Sequence, residues 1–176
     1  DDQGQKYLDC CAGIAVNSIG HSHPHWVLQV QKQLENLTHC SNLYAIPQQA
    51  ELAEKLSHYT PVEKWFFCNS GAEANEALIK LARLYGNRKK PEDETKCYQV
   101  ITFENGFHGR TFGGMAATPQ TKIQNGFHPM LPGFQTAKLN DLASVEKQMN
   151  DQTAAVMIEP IQGEGGIHVA ENGFLK

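Results

Sequence analysis

Hydrophobic positions along this chain fall into helical stripes and short apolar runs. From Pro24 to about Leu37, the residues Val27, Val30, Leu34 and Leu37 share one helical face, and Pro24 suits a first turn, so a helix is expected there. A second helix opens at Pro47, with Ala50, Leu52, Ala53 and Leu56 inside and Glu51, Glu54 and Lys55 outside. In a third, following Asn69-Ser70, the residues Ala74, Ala77, Leu78, Leu81, Ala82 and Tyr85 define the inner face and Glu73, Glu76, Lys80 and Arg83 the outer one. Pro61 breaks the chain ahead of Trp65-Phe66-Phe67-Cys68, a run suited to a central strand. Tyr98 to Phe103, Phe134 to Leu139 and Ala154 to Ile158 read as further strands, with Asn140 capping a helix that ends near Met149. Lys6 to Cys10 and Ile14 to Asn17 read as extended segments around a turn near Gly13. Strands alternating with helices predict βαβ units in a mostly parallel α/β sheet.

Composition narrows the functional classes. The 176 residues are 40% hydrophobic and 19% charged, ordinary values for a globular protein, and suggest one domain or slightly more. A formal charge of −4, from 15 basic and 19 acidic residues without a long run of one sign, gives no electrostatic footprint for nucleic acid. No apolar stretch approaches a membrane span, and Asp1-Asp2-Gln3-Gly4-Gln5-Lys6 does not resemble a signal peptide, so a cytoplasmic location is expected. Cys10, Cys11, Cys40, Cys68 and Cys97 are odd in number and lack a C-x-x-C pair, which reads as reduced thiols. His21-Ser22-His23-Pro24-His25 could point alternate imidazoles one way, but Gly20 and Pro24 favour a turn entering a helix over a metal site. The mixed-charge segment from Asn87 to Lys96 reads as a solvated loop. The sequence stops soon after a glycine-rich turn, as the front part of a larger fold would.

Candidate chemistry begins at Asn69-Ser70-Gly71-Ala72-Glu73. A strand ending where a helix begins would present free backbone N–H groups and the positive end of the helix dipole, and small residues would let an anion approach closely. An ordinary N-cap by Asn69 or Ser70, with Glu73 in the first turn, explains the same residues. Two more motifs fall at expected carboxyl ends of strands: Phe107-His108-Gly109-Arg110, and Glu159 to Gly166. A phosphate cup, an aromatic ring beside a guanidinium and a carboxylate in a glycine-rich turn would together suit a flat phosphorylated cofactor and a carboxylate substrate. Taken singly, Phe107 could fill the core, Arg110 could pair on the surface and Glu164 could be solvated. The cup is neither G-x-x-x-x-G-K-[ST] nor G-x-G-x-x-G, and Ser70 lacks a G-x-S-x-G context, which disfavours nucleotide binding by those routes and hydrolase chemistry.

Several motifs occur in one order along nearly the whole chain: Gly13-Ile14-Ala15-Val16-Asn17 with Gly20-His21 and His23-Pro24, Ser41-Asn42-Leu43-Tyr44, N-S-G-A-E-A-N at 69–75, F-H-G-R-T at 107–111 and E-P-I-Q-G-E-G-G at 159–166. Together they resemble class III, pyridoxal-phosphate-dependent aminotransferases, and within them the acetylornithine group. The resemblance implies a fold type I transferase, here incomplete, with a mostly parallel sheet flanked by helices. It implies pyridoxal 5'-phosphate as cofactor, with Ser70, Gly71 and Ala72 at its phosphate and Phe107 and His108 beside its ring. Arg110 would clamp a substrate α-carboxylate, and Glu164 resembles the family's gate carboxylate, which pairs with a second arginine lying beyond this chain. Glu159 would support the site. Amino-acid and 2-oxo-acid substrates, a homodimer in the full-length form, and neither nucleic acid nor membrane as partner are the corresponding expectations.

The same resemblance divides the chain into an N-terminal segment at 1–46, part of a small domain, and the first part of the large cofactor-binding domain at 47–176. Ile14 stands where free-ornithine enzymes of the family carry a polar aromatic residue, which favours N-acetylornithine with 2-oxoglutarate, in arginine biosynthesis. Succinylornithine, 4-aminobutyrate and N-succinyl-diaminopimelate enzymes share most of the motifs, and ornithine enzymes, which resemble the chain less, are a further alternative. The family's Schiff-base lysine and its pyridine-nitrogen aspartate belong to segments downstream of E-P-I-Q-G-E-G-G, so no catalytic residue of that kind is expected within 1–176. Lys80 and Lys138 do not sit in the required context. The isolated chain is therefore expected to be inactive, either as part of a complete aminotransferase or as a non-catalytic piece that binds phosphate or a partner.

Overall fold

The structure, a computed structural model, describes residues 1–89 and 96–176. Lys90 to Thr95, most of the mixed-charge segment, lie outside the described residues. Two compact units divide the chain, Asp1–Trp65 and Phe66–Lys176.

In the first unit the two periodic segments form helices as expected, α2 (Pro24–Asn36) and α3 (Pro47–Tyr59), each opened by its proline. Of the two segments before them, the one at 14–17 is not extended. Ala12, Gly13, Ile14 and Ala15 all have positive φ and wind one turn, α1 (Ala12–Ala15), closed by Val16 N–H donating to Ala12 O. Of the histidine cluster, His21 Nε2 lies 2.8 Å from Asp9 Oδ2, whose Oδ1 also accepts the amides of Cys11 and Ala12. The His21 hydrogen bond, followed by those amides, holds the Asp9 carboxyl below its ordinary value. Among the described residues no three His, Cys, Asp or Glu side chains converge as metal ligands. No residue of this unit is buried, and the α2 stripe stays open, with Leu34 57% exposed.

The second unit carries the sheet. Strands β1 (Gln99–Phe103), β2 (Phe134–Ala137) and β3 (Thr153–Val156) pair in parallel in the order β2-β1-β3, with Val100 opposite Phe134 and, across a register irregularity, Ala155. Being central, β1 is nearly all buried. Ile101 and Phe103 point to one face, joined by Ala137 and packed against by Val145, Ile158 and Phe174, whose ring meets Phe103 edge-on at 5.7 Å. The helix α7 (Leu142–Gln148) lies along β2, and α4 (Gly71–Lys89) lies along β3 and β1. No helix among the described residues is long and apolar enough to cross a membrane.

Three local expectations change, and two short helices appear in a stretch for which the sequence pattern predicts none. Trp65 to Cys68 is not a strand: no strand among the described residues pairs with it, Phe66 is 71% exposed, and Trp65 instead donates its indole N–H to Ser57 Oγ at 2.8 Å. The cap of α7 is Asp141, whose Oδ1 accepts from Ser144 N, while Asn140 takes a positive φ of 64° outside the helix. The residues after Thr111 coil into a buried helix, α5 (Phe112–Ala117), which leads to the short α6 (Thr121–Gln124). The glycine-rich turn becomes an antiparallel hairpin of β4 (Ile161–Gln162) and β5 (His168–Val169), tied to the end of β1 by Gln162 Nε2 donating to Glu104 O at 2.9 Å.

Candidate functional site

The start of α4 is both capped and open. Ser70 Oγ accepts the Glu73 amide at 3.2 Å, and the first helical bond runs from Ala74 N to Ser70 O. The Glu73 carboxylate reaches back to Asn69, taking its backbone N–H at 2.6 Å and its side-chain amide at 3.2 Å. These bonds, the Asn69 side chain first, hold the Glu73 carboxyl below its ordinary value. The amides of Gly71 and Ala72 take no hydrogen bond among the described residues, and a Cβ on Gly71 would meet nothing within 4 Å. Two donors at a helix N-terminus are therefore free, with open space beside Gly71, an arrangement that suits an anion such as a phosphate ester.

The face that α4 turns inward is not the one its leucines suggest. Leu78, Leu81 and Tyr85 are each more than half exposed, while Ile79 and Gly86 are buried. Asn75, Glu76 and Arg83 face the fold because each finds a backbone partner there. Asn75 Nδ2 donates to His108 O at 2.8 Å, Glu76 Oε1 accepts the Gly113 amide at 3.1 Å, and Arg83 donates to Pro132 O at 2.6 Å with its guanidinium over the Tyr98 ring. Gly86 is required by contact, since a Cβ there would collide with Cys97 O.

These bonds bring the second motif onto the first. Gly109 adopts a φ of +118°, and its Cβ position lies 3.4 Å from Ala72 Cβ, so the loop passes directly over the open turn. Glu159, at the end of the segment after β3, accepts the Phe107 amide through Oε2 at 2.9 Å, which adds the third motif. Burial raises the Glu159 carboxyl above its ordinary value, and the Phe107 amide opposes that shift. His108 is buried, donates its amide to Thr118 Oγ1 at 2.8 Å and leaves Nε2 without a partner among the described residues. Desolvation holds its imidazole below the ordinary value. Phe107 is half-buried and Arg110 exposed, with the guanidinium 5.8 Å from the Phe107 ring centroid.

Ala72, Phe107, His108, Arg110 and Glu159 are thus gathered around one turn, with Ser70 and Gly71 at its edge. Glu164 is exposed and has no hydrogen bond or ion pair among the described residues, although its hairpin is held close because a Cβ on Gly165 would collide with Asn105 O. Sequence reasoning passed over Asn75, Glu76, Thr118, Gly113 and Gly114. The signal was the Gly-Gly pair, where a Cβ on Gly113 would fall 2.6 Å from Glu76 Oε1 and one on Gly114 2.8 Å from His108 O.

The family Aminotransferase class-III matches the chain over residues 1–176. The chain belongs to the class III aminotransferases. Members of this family use pyridoxal 5'-phosphate, and the free amides of Gly71 and Ala72, next to the loop that carries Phe107, fit a phosphorylated group. Acetylornithine aminotransferases of Methanocaldococcus jannaschii and Caldanaerobacter subterraneus are 48% and 51% identical over 176 residues, covering 100% of this chain and 44% of each relative. The chain thus spans less than half the length of the curated relatives it matches. Among solved structures, ornithine aminotransferase from Toxoplasma gondii, described with partial occupancy of PLP at its active site, superposes with a TM-score of 0.88 at 30% identity, over 99% of this chain and 42% of the other. Class III membership accords with the parallel α/β unit and with the order of the motifs along the chain.

Proposed function

We propose that this class III aminotransferase chain serves pyridoxal-phosphate-dependent transfer of the ω-amino group of N-acetylornithine to 2-oxoglutarate, giving glutamate. The observation that carries the reading is the seating of the Phe107–Arg110 loop beside the open N-terminus of α4, where a Cβ on Gly109 would meet Ala72. The acetylornithine aminotransferases at about half identity support the choice of substrate, as does Ile14 in place of a polar aromatic residue.

Gly71 and Ala72 would hold the cofactor phosphate through their amides. Ser70 would add its hydroxyl proton, since its oxygen already accepts from Glu73 and the O–H remains to donate. Phe107 would lie against the pyridine face, and His108 would fix that loop through its amide and carbonyl, both already bonded. Bound there, the cofactor supplies an electron sink for the carbanion formed when an amino acid loses its proton. Arg110 would clamp the substrate carboxylate through two parallel bonds. Glu164, exposed on its hairpin, is free to pair with an arginine supplied from outside these residues. The family's reactive lysine and aspartate would come from the same source, and the active form would be a homodimer acting on amino-acid and 2-oxo-acid substrates in the cytoplasm. The unit from Phe66 onward would then form the first part of the large domain, with the N-terminal segment in a small one.

The test is glutamate release from 2-oxoglutarate by the protein prepared from its own source. N-acetylornithine, N-succinylornithine, free ornithine and 4-aminobutyrate are supplied in turn. A kcat/KM highest for N-acetylornithine is expected; turnover of a free ω-amino acid in preference would overturn the substrate, and no glutamate with any donor would overturn the activity.

A further inference from the structure

We propose that Asn75 and Glu76 are positioning residues that latch the Phe107–Gly113 segment to α4 and thereby set where Arg110 meets a substrate carboxylate; this rests on the reading of Arg110 given above. Arg110 cannot orient itself. Its side chain has no hydrogen bond among the described residues, only the Phe107 ring beside it, so its direction follows from the backbone that carries it. That backbone lies outside the sheet, and from Phe107 through Arg110 it makes no backbone–backbone hydrogen bond among the described residues. It is held by side chains: Glu159 on Phe107 N, Thr118 on His108 N, Asn75 on His108 O and Glu76 on Gly113 N.

Two of these four holds come from adjacent residues of one helix, and they bracket Arg110 from both sides. The same helix presents Gly71 and Ala72 about one turn earlier, so the phosphate-facing amides and the substrate-facing arginine share one rigid body. Glu76 is the stronger member. Its bond is charge-assisted, and the missing side chain of Gly113 makes room for it, with both carboxylate oxygens within 2.7 Å of the Cβ position. Asn75 supplies an N–H that Asp could not, and Glu76 an acceptor that Gln would preserve.

Hydrogen exchange on the full chain tests the latch without reference to activity. Amides of residues 107–115 are expected to exchange about tenfold faster in Asn75→Ala and in Glu76→Ala, while Glu76→Gln restores slow exchange. Gly113→Ala, which leaves Glu76 in place but fills its space, should reproduce Glu76→Ala. Unchanged exchange in 107–115 would overturn the latch. So would equal loss of protection in Gln99–Phe103, which would make the two residues general supports of the unit. In the full product of the gene, the KM for the amino donor should rise about tenfold in Glu76→Ala, with affinity for pyridoxal phosphate, read by fluorescence titration, changed less than about threefold. Proportional loss of both affinities would overturn the positioning role. A wild-type protein that binds no amino donor overturns the reading of Arg110 itself and the carboxylate arm with it, whereas the exchange rates still decide whether the latch exists.

Discussion

Arg110 shows how a single side chain can be chemically legible and still depend on its surroundings. Its exposure leaves the guanidinium fork unclaimed by any carboxylate among the described residues, with the Phe107 ring 5.8 Å away as its neighbour. A planar fork gives a carboxylate two parallel bonds, and a lysine at the same place gives one point of charge. Arg110→Lys is therefore expected to weaken binding of the amino-acid substrate roughly ten- to hundredfold, the loss of one charge-assisted bond and its geometry. Cofactor affinity should hold if the amides of Gly71 and Ala72, which lack a hydrogen bond among the described residues, are the phosphate donors proposed above. Isothermal titration of each ligand against both proteins measures the two effects, and an equal fall in both would make Arg110 a structural residue. Ser70, Gly71, Ala72, Phe107 and Arg110 stand out in the sequence as candidates because their small, aromatic or cationic character is visible in the residue type. Asn75 and Glu76 could not, because their partners are backbone groups more than thirty residues away.

At the scale of elements, periodicity located what it could see. The helices α2, α3 and α4 and the strands β1, β2 and β3 stand where apolar spacing put them. The phase of α4 did not follow, since Leu78, Leu81 and Tyr85 carry the apolar stripe and yet face out, while bonds to loop carbonyls and amides draw Asn75, Glu76 and Arg83 inward. Helix α5 was hidden for a different reason: Phe-Gly-Gly-Met-Ala-Ala has no polar side to generate a period, and its glycines serve contact with the loop before it. That loop and helix are joined through His108, whose amide bonds Thr118 Oγ1 as Thr118 in turn donates to Gly114 O. The buried imidazole is held below its ordinary value of 6.5 by desolvation. Below 6.5 the unfolded chain binds the proton and the folded chain resists it, so stability is full above 6.5 and is lost as pH falls through the depressed folded value. Thermal unfolding followed from above to below this window should show a falling midpoint. In His108→Gln the slope should flatten even if the midpoint drops overall, and an unchanged slope would assign the pH response to another group.

Burial differs sharply between the two units of the molecule. Every buried residue belongs to Phe66–Lys176, where β1 is enclosed and Ile101, Phe103 and Ala137 form a closed cluster. Asp1–Trp65 has helices and local hydrogen bonds but no fully buried residue, and Trp26, Leu34 and Leu37 are each more than half exposed. Apolar area removed from water is the main term that offsets chain entropy, and a unit that removes so little opens at almost no cost. The helical stripes of this first unit were legible because amphipathic spacing is local; whether a stripe finds cover is a property of the assembled molecule that spacing does not encode. Limited proteolysis of the intact chain should therefore remove Asp1–Trp65 first and leave a resistant product beginning near Phe66, identified by its mass. Amides of β1 should exchange at least about a hundredfold more slowly than those of α2 and α3, a gap of some 3 kcal/mol in opening free energy. Equal protection of α2 and β1 would mean that the first unit is covered in solution, and adding pyridoxal phosphate or the amino donor would then show whether the cover depends on the site.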